Sequence, residues 1–301
     1  MRILFISFYS KPENVSSSYY VDDLKRKLIK ERHIVHTLAP NPVRNLSKKD
    51  IDMWANVPFE STDVGKIIRV FVNKNSSNSK INRIIRMLIF KKKIRKFIKE
   101  NKNNYDCIFY YSNPPILIPL MLGKMCKKLG IISVYQINDI WPNITGKLSF
   151  LMPLAKKAIS LASEIITLSD DMQNYLQKLF PNKSITIIRI WPYESTPNDV
   201  VDTEVVDLFL RDRRFKICYI GNIGEFQNIE LLIETASLLR DKKDIIFYFV
   251  GGGRLVDYLK TRIQRDNLKN VVYITRVNDV TAQRLYANSN LNIISLKKGA
   301  I

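Results

Sequence analysis

Short apolar runs and longer amphipathic stretches alternate along the first 190 residues. The apolar runs predict seven strands, at residues 2–8, 33–38, 67–72, 106–111, 131–136, 164–168 and 184–190. Apolar residues three and four positions apart predict helices at residues 19–30, 81–99, 117–128, 150–163 and 170–179. Strands that alternate with helices at this spacing are typical of βαβ units, so we expect a doubly wound, largely parallel sheet.

A second α/β series follows the first. It has predicted strands at residues 216–220, 245–250, 271–274 and 291–295, and predicted helices at residues 228–240, 255–266 and 280–287. Residues 194–212, with Pro197 and many acidic side chains, predict a linker. The expected domains are therefore residues 1–193 and 213–301. The second series has fewer strands and no closing helix, so we expect the second domain to be incomplete and the chain to be truncated.

Glycines directly follow the first two strands of the second series. They are Gly221 and Gly224 after the first strand, and Gly251, Gly252 and Gly253 after the second. A strand, a glycine turn and a helix bring backbone N–H groups and a positive helix end to face a phosphate. Because ligands of open α/β sheets bind at the carboxyl ends of strands, the two turns predict one pocket. An ordinary βα turn has the same spacing, so the pattern alone leaves both interpretations open.

Charge and composition narrow the function classes. The formal net charge is +20, and residues 1–200 hold 32 Lys/Arg against 16 Asp/Glu. This basic excess favours an anionic partner for the first domain. The three cysteines and two histidines lack metal-ligand spacing, so we expect reduced thiols, a cytoplasmic protein and no metal site. No apolar run reaches the roughly 20 residues that span a bilayer.

The basic excess is concentrated around the predicted helix at residues 81–99. Residues 66–102 contain 13 basic side chains and one acidic side chain, Glu100. Periodicity places five apolar residues on one face of this helix: Ile84, Met87, Phe90, Ile94 and Phe97. One interpretation is a helix that lies on an anionic membrane, in contact through Arg86, Phe90, Lys91, Lys92, Lys93, Ile94 and Phe97. The other is a surface helix with its apolar face inward. No nucleic-acid-binding module is visible, so we expect no nucleic-acid partner.

Five segments resemble motifs of one enzyme family. They are residues 3–13 with Tyr9, Pro12 and Glu13; residues 134–142 with Asp139, Trp141 and Pro142; residues 165–172 with Ser169 and Met172; residues 190–192; and residues 221–227 with Asn222 and Gln227. In this order and spacing they resemble glycosyltransferase family 4, in the branch that includes fucosamine transferases and builds bacterial O-antigen, capsule and colanic acid. The resemblance implies an α/β protein of the GT-B fold, with two Rossmann-like, doubly wound domains, the second incomplete.

The resemblance also implies where the donor binds. A nucleotide-sugar, with UDP as the expected nucleotide, would bind mainly to the second domain. Gly221, Asn222 and Gly224 would cradle its diphosphate, and Gly251, Gly252 and Gly253 would lie near the nucleoside. Arg254 or Arg276 would supply a cation to the phosphates, although a solvent-facing arginine is the alternative for each. Backbone amides and basic side chains would stabilise the leaving diphosphate, so no metal and no cofactor are expected.

The acceptor side falls in the first domain. The resemblance implies a catalytic or polar role for Asp139, for which a turn or helix-capping aspartate is the alternative. Tyr9, Glu13, Ser16 and Ser17 would lie in the acceptor-side loop. The implied reaction is transfer, with retention of configuration, from the nucleotide-sugar to a lipid-linked or polysaccharide acceptor. The expected location is peripheral, on the inner face of the bacterial cytoplasmic membrane.

The sequence departs from the family pattern at three points. The first loop reads NVSSS and lacks glycine, and the Arg and Lys of the family's phosphate loop fall at Asn222 and Gln227. The E-x7-E segment that holds the donor sugar is absent. A competing hypothesis is therefore a non-catalytic remnant that folds and binds only a membrane or a partner. An oxidoreductase is disfavoured, because no glycine run here begins a G-x-G-x-x-G pattern.

Overall fold

Two α/β units make up the chain, Met1–Pro192 and Tyr193–Ile301. The structure is a computed structural model that describes residues 1–13, 18–44, 46–72, 80–111, 116–140, 149–191 and 200–297. Each unit has its own sheet and its own apolar clusters. The predicted α/β organisation is confirmed.

Eight strands form the first sheet within the described residues, in the order β3-β4-β2-β1-β5-β6-β7-β8. They are β1 (Arg2–Ile6), β2 (Ile34–Pro40), β3 (Phe59–Thr62), β4 (Gly65–Val70), β5 (Cys107–Tyr111), β6 (Ile132–Gln136), β7 (Glu164–Thr167) and β8 (Ile185–Ile187). All neighbouring pairs are parallel except β3 and β4 at one edge. The carboxyl ends of the parallel strands therefore share one edge of the sheet.

Helices cover both faces of this sheet. They are α1 (Ser18–Lys30), α2 (Lys48–Trp54), α3 (Lys80–Glu100), α4 (Leu117–Leu129), α5 (Met152–Ser160) and α6 (Asp170–Leu179). Ile3 and Phe5 of β1 belong to the apolar cluster that includes α1, whereas Leu4 and Ile6 belong to the cluster that includes α3 and α4. Successive strand residues point to opposite faces, so β1 is apolar throughout because both faces are covered.

The second unit repeats this arrangement on a smaller scale. Its parallel sheet has the order β11-β10-β9-β12 in the described part of the chain. The strands are β9 (Phe215–Ile220), β10 (Ile245–Val250), β11 (Val271–Ile274) and β12 (Leu291–Asn292), and the helices are α7 (Thr203–Arg211), α8 (Ile229–Leu238), α9 (Val256–Arg265) and α10 (Asp279–Ala287). Buried residues of β9 and β10 pack against α8 and α9 in one cluster and against α7 and α10 in another.

The structure adds two elements to those predicted for the first unit. All seven predicted strands are present, with ends that differ by a few residues. The additional strand β3 and helix α2 were not predicted. β3 is four residues long and its side chains are exposed or half-buried, so it has no apolar run for a pattern to detect. In α2 only Ile51 is buried, so this helix also has too few apolar positions for a periodic pattern to detect.

Part of the predicted linker is a helix of the second unit. Within residues 194–212, helix α7 begins after Asp202, whose carboxylate accepts a hydrogen bond from the Val205 N–H at 3.2 Å. Phe209 of α7 is buried, and its ring lies 4.6 Å from that of Tyr248 in β10. Asp202 caps this helix, and Glu204 and Asp207 are exposed positions of it. Residues 194–199 of the predicted linker lie outside the described residues.

Helix α3 corrects the predicted membrane contacts. Phe90 and Ile94 are fully buried in the main apolar cluster of the first unit, and Phe97 packs against it. Arg86 is also buried, and its Nη2 donates a hydrogen bond to the Asn41 carbonyl oxygen at 2.8 Å. These four side chains face the protein and cannot contact a membrane. The predicted Lys92 and Lys93 are exposed, and Lys91 is half-buried.

Truncation of Phe90 should therefore destabilise the first unit. We expect Phe90→Ala to lower its free energy of unfolding by about 3–5 kcal/mol, because the substitution leaves a cavity beneath the sheet. Leu88→Ala is the matched control: Leu88 is 46% exposed, and its truncation should change stability by less than about 0.5 kcal/mol.

Urea unfolding followed by tryptophan fluorescence measures this difference. All three tryptophans, Trp54, Trp141 and Trp191, lie in the first unit, so the signal reports on that unit alone. Equal midpoint shifts for the two variants would contradict the assignment of Phe90 to the core.

Candidate functional site

Two loops lie side by side at the carboxyl edge of the second sheet. The first glycine loop, residues 221–224, follows β9, and the second glycine loop, residues 251–253, follows β10. The Gly221 N–H donates to the Val250 carbonyl at 2.9 Å, and the Ile223 N–H donates to the Gly252 carbonyl at 2.9 Å. The parallel pairing of β9 with β10 thus continues into the loops, and the predicted glycines of both turns are brought together.

Glycine is required at two positions of the second glycine loop. Gly251 and Gly253 have φ values of +147° and +152°. A Cβ at Gly251 would overlap the carbonyl oxygen of Gly221, and a Cβ at Gly253 would overlap that of Ile223. Gly252 differs, because a Cβ there would meet nothing closer than Arg276 Cβ at 4.0 Å. The close approach of the two backbones therefore depends on Gly251 and Gly253.

Three tyrosine hydroxyls donate to carbonyl groups in these loops or directly before them. Tyr219 donates to the Asn222 carbonyl at 2.6 Å, Tyr273 to the Gly251 carbonyl at 3.0 Å, and Tyr286 to the Ile220 carbonyl at 2.7 Å. A carbonyl that accepts these bonds is fixed in direction, and the N–H groups of the same loop are fixed with it. Sequence reasoning missed these residues, because a tyrosine in a strand or a helix gives no signal that its hydroxyl reaches a loop.

The first glycine loop has a polar rim. Asn222 Nδ2 donates to Gln227 Oε1 at 3.2 Å across Gly224. A Cβ at Gly224 would meet the ends of these two side chains, which are flexible, rather than backbone. Asn228, with φ of +47°, then leads into α8, so the positive end of that helix lies just beyond the loop.

Three cations border the two loops. Arg254 follows the second glycine loop and forms an exposed ion pair with Glu225 at 3.7 Å, and Arg276 lies beside Gly252 and is exposed. The third, Lys297, was not predicted. Its N–H donates to the Phe226 carbonyl at 2.8 Å, and its Nζ lies 2.9 Å from Glu230. Its position after β12, which pairs with β9, is the signal that could have identified it.

The predicted loop residue Glu13 is buried at the carboxyl edge of the first sheet. Its Oε1 accepts hydrogen bonds from the backbone N–H groups of Val43 and Arg44, each at 2.9 Å. Burial raises the pKa of this carboxyl, while those two bonds and the nearby Arg86 guanidinium lower it in part. Glu13 thus joins the loop after β1 to the loop after β2. A carboxylate engaged in this way is not available to contact an acceptor.

The structure describes only one of the other three residues predicted for this loop, Tyr9. Tyr9 is half-buried, and the Arg44 guanidinium lies 5.0 Å from the centre of its ring. Arg69, which was not predicted, donates through Nη1 to Ser10 Oγ at 3.1 Å and through Nη2 to the Lys11 carbonyl at 2.6 Å. Ser16 and Ser17 lie outside the described residues. The acceptor-side role of Tyr9 stays a prediction.

Asp139, the predicted catalytic residue, lies just after β6 at the same edge. Its neighbour Asn138 donates through Nδ2 to the Tyr20 hydroxyl at 2.7 Å, and Gln136 Nε2 donates to the same oxygen at 3.2 Å. This network fixes the backbone that carries Asp139. Asp139 is exposed as a residue, and partial loss of solvation raises the pKa of its carboxyl from the ordinary aspartate value. Trp141 and Pro142 of the same motif lie outside the described residues.

The described metal-ligating and thiol side chains do not form a further site. Among the residues that the structure describes, no group of three His, Cys, Asp or Glu is placed to hold a metal ion. Cys107, Cys126 and Cys218 are free and buried, and burial raises their pKa values to about 11, 12 and 11. No described helix combines the length and the apolar character needed to cross a bilayer.

Two sequence families match the chain, one in each unit. The family described as Glycosyltransferase Family 4 matches residues 17–190, which is more than half of the chain. The family described as Glycosyl transferases group 1 matches residues 201–299. The family resemblance that the sequence motifs suggested is therefore confirmed.

Similar proteins are known by sequence and by structure. A Pseudomonas aeruginosa protein named "Probable glycosyltransferase WbjE" is 22% identical over 314 residues, which cover 99% of this chain and 74% of the relative. HepE from Anabaena, solved in complex with UDP, superposes with a TM-score of 0.63 at 15% identity, over 99% of this chain and 75% of HepE. WaaG, a glycosyltransferase involved in lipopolysaccharide biosynthesis, has a TM-score of 0.62 at 13% identity, with coverage of 99% and 76%. The predicted GT-B fold is confirmed.

The two glycine loops give a matched pair of substitutions. We expect Gly251→Ala to lower the free energy of unfolding of the second unit by at least about 2 kcal/mol, because a positive φ and a backbone overlap must both be relieved. Gly252→Ala, one residue away, should change it by less than about 0.5 kcal/mol.

Amide hydrogen exchange of β9 and β10 measures the effect, since the second unit has no tryptophan. Equal protection in the two variants would show that the backbones of residues 221 and 251 do not approach as described.

Proposed function

The chain belongs to glycosyltransferase family 4, and we propose that it transfers a sugar from a nucleotide-sugar to an acceptor of bacterial surface polysaccharide synthesis. The donor binds at the two glycine loops of the second unit. The acceptor binds at the carboxyl edge of the first sheet, near Asp139 and Tyr9. Transfer proceeds with retention of configuration.

The paired glycine loops are the observation that carries this proposal. Their carbonyl groups are held by Tyr219, Tyr273 and Tyr286, so the remaining backbone N–H groups keep fixed directions. Gly224 and Gly252 leave the loops without side chains of their own at these positions. A diphosphate needs this combination of close backbone approach, donors and a positive helix end, which α8 supplies.

The charges beside the loops favour a metal-independent reaction. Arg254, Arg276 and Lys297 bring three cations to the loops; Arg254 is ion-paired with Glu225 and Lys297 with Glu230, so the local charge stays positive through Arg276. As the bond to the sugar breaks, negative charge grows on the leaving diphosphate, and preorganised cations and amides stabilise that charge. We propose UDP as the nucleotide, with support from HepE, which was solved with UDP and with UDP-glucose.

The acceptor and location follow from the relatives and from charge. WaaG acts in lipopolysaccharide biosynthesis, which supports a lipid-linked or polysaccharide acceptor. The net charge of +20 supports a peripheral position on the anionic inner face of the bacterial cytoplasmic membrane. Asp139 lies within the segment 134–142 that carries the family resemblance, and we assign it the catalytic or polar role on the acceptor side; loss of solvation raises the pKa of its carboxyl.

Calorimetric titration with nucleotides tests the donor site directly. We expect the chain to bind UDP more tightly than GDP or dTDP, with equal affinity in EDTA and in Mg²⁺. Gly224→Trp should abolish binding, because the indole would fill the space above the first glycine loop. Gly224→Ala should bind as the unaltered chain does, since its Cβ displaces only the ends of Asn222 and Gln227.

Three outcomes would contradict the proposal. The absence of binding to all three nucleotides would remove the donor site. Unchanged binding by Gly224→Trp would place the nucleotide elsewhere, and a requirement for Mg²⁺ would exclude the metal-independent form of the proposal.

The role of Arg276 gives a second prediction. Loss of its guanidinium removes one charge-assisted hydrogen bond to the diphosphate, so Arg276→Ala should weaken UDP binding about tenfold or more while leaving uridine binding unchanged. Arg240→Ala is the control, because Arg240 is an exposed arginine beyond the far end of α8. Equal loss of affinity for uridine and UDP would show that Arg276 does not act on phosphate.

A further inference from the structure

The outward face of α3 is divided along the helix axis. Its first half exposes four large apolar side chains, between 43% and 69% accessible, which we call the apolar stripe: Ile81, Ile84, Ile85 and Leu88. Its second half continues the same face with exposed cations: Lys92, Arg95, Lys96 and Lys99. Residues three and four apart share a face of a helix, so the stripe and the cations form one continuous surface. The sequence pattern predicted the inward face, on which it wrongly placed Ile84, and it predicted membrane contact by Lys92 but not by the rest of this surface.

The length of α3 explains why the stripe is uncovered. α3 has 21 residues and its neighbour α4 has 13, which correspond to about 31 Å and about 20 Å. Lys91 and Arg95, in the second half of α3, line a common groove with Leu117 and Leu120 at the start of α4. The first turns of α3 therefore extend past the beginning of α4.

The groove between α3 and α4 combines apolar walls with cations. It encloses about 310 Å³, with walls of Leu117, Leu120, Met121 and Met125 and a rim of Lys91, Arg95 and Lys124. No acidic residue is among the described residues that line it. Aliphatic surface beneath a cationic rim matches a phospholipid, whose acyl chain is apolar and whose headgroup carries a phosphate.

The whole helical layer carries the same charge. α3, α4 and α5 pack side by side on one face of the sheet and hold fourteen basic residues and one acidic residue, Glu100. Glu100 is ion-paired with Lys96 at 3.7 Å. A second copy of this surface would meet it with like charge, whereas an anionic bilayer would meet it with opposite charge.

We propose that α3 docks on an anionic phospholipid bilayer, with the apolar stripe inserted at the interface and the α3–α4 groove around a lipid headgroup. The bilayer contact is made by Ile81, Ile84, Ile85 and Leu88 rather than by Phe90, Ile94 and Phe97. Apolar insertion and attraction of basic residues act together in interfacial helices, and each basic residue adds to the binding.

The position of the stripe connects this surface with the acceptor side. α3 precedes the parallel strand β5, so its first half lies at the carboxyl edge of the first sheet. Arg86, between the stripe residues in sequence, bonds to the carbonyl of Asn41 directly after β2. Only the purpose of docking rests on the proposed function. A docked stripe brings the carboxyl edge of the first sheet, where the acceptor is proposed to bind, to the membrane that holds a lipid-linked acceptor.

Vesicle flotation of the full 301-residue chain tests the docking surface. We expect binding to vesicles of phosphatidylcholine mixed with phosphatidylglycerol, no binding to pure phosphatidylcholine, and weaker binding as salt rises. Ile84→Ser/Leu88→Ser should lower the partition coefficient at least about tenfold through loss of apolar insertion. Lys92→Glu/Arg95→Glu should lower it at least about tenfold through charge reversal.

Matched controls lie in the second unit. Leu231→Ser/Leu238→Ser removes two exposed leucines of α8, and Lys242→Glu/Lys243→Glu reverses two exposed lysines; both variants should bind vesicles as the unaltered chain does. Any of three results would overturn the proposal: no binding of the unaltered chain to anionic vesicles, undiminished binding by the stripe variant, or conversion of a dimer to a monomer by the stripe variant in light scattering. UDP titration of the same preparations distinguishes this proposal from the proposed function, because the stripe variants should bind UDP as the unaltered chain does.

Discussion

The candidate donor site depends on one backbone contact in the second unit, between residues 221 and 251. The carbonyl of Gly221 occupies the position that a side chain at 251 would need, and the same relation holds between Ile223 and Gly253. Two loops that follow parallel strands are held together by this approach and by the ladder bonds that extend into them. Because these two backbones are fixed, they also fix the positions of the surrounding tyrosines, of the cations and of the start of α8.

The first unit is organised by a different interaction, the buried carboxylate of Glu13. Two backbone N–H groups after β2 bond to it, and Arg86 of α3 lies near it and bonds to the same loop. A buried charge of this kind is stable only because several donors surround it. The contact joins the loop after β1, the loop after β2 and helix α3 at the edge where an acceptor would bind.

Apolar runs were sufficient to predict most strands of both sheets, because the central strands β1, β5, β9 and β10 are buried on both faces. They failed where burial is slight, at β3, and where acidic residues suggested a linker although Phe209 anchors a helix. The glycine turns could be located from sequence, but the tyrosines that hold them could not, since they lie on β9, β11 and α10 and no pattern shows that their hydroxyls meet at the loops. For α3, periodicity correctly predicted that Phe90 and Ile94 face inward. It also predicted that Ile84 faces inward, whereas Ile84 is exposed, because the pattern contains no information on how far α3 extends beyond α4.

Amide hydrogen exchange with and without UDP shows where on the chain the nucleotide binds. We expect UDP to slow exchange in peptides that cover residues 221–228 and 251–256 and to leave the carboxyl edge of the first sheet unchanged. Protection confined to the first unit, or no protection anywhere in the chain, would contradict a donor site at the glycine loops.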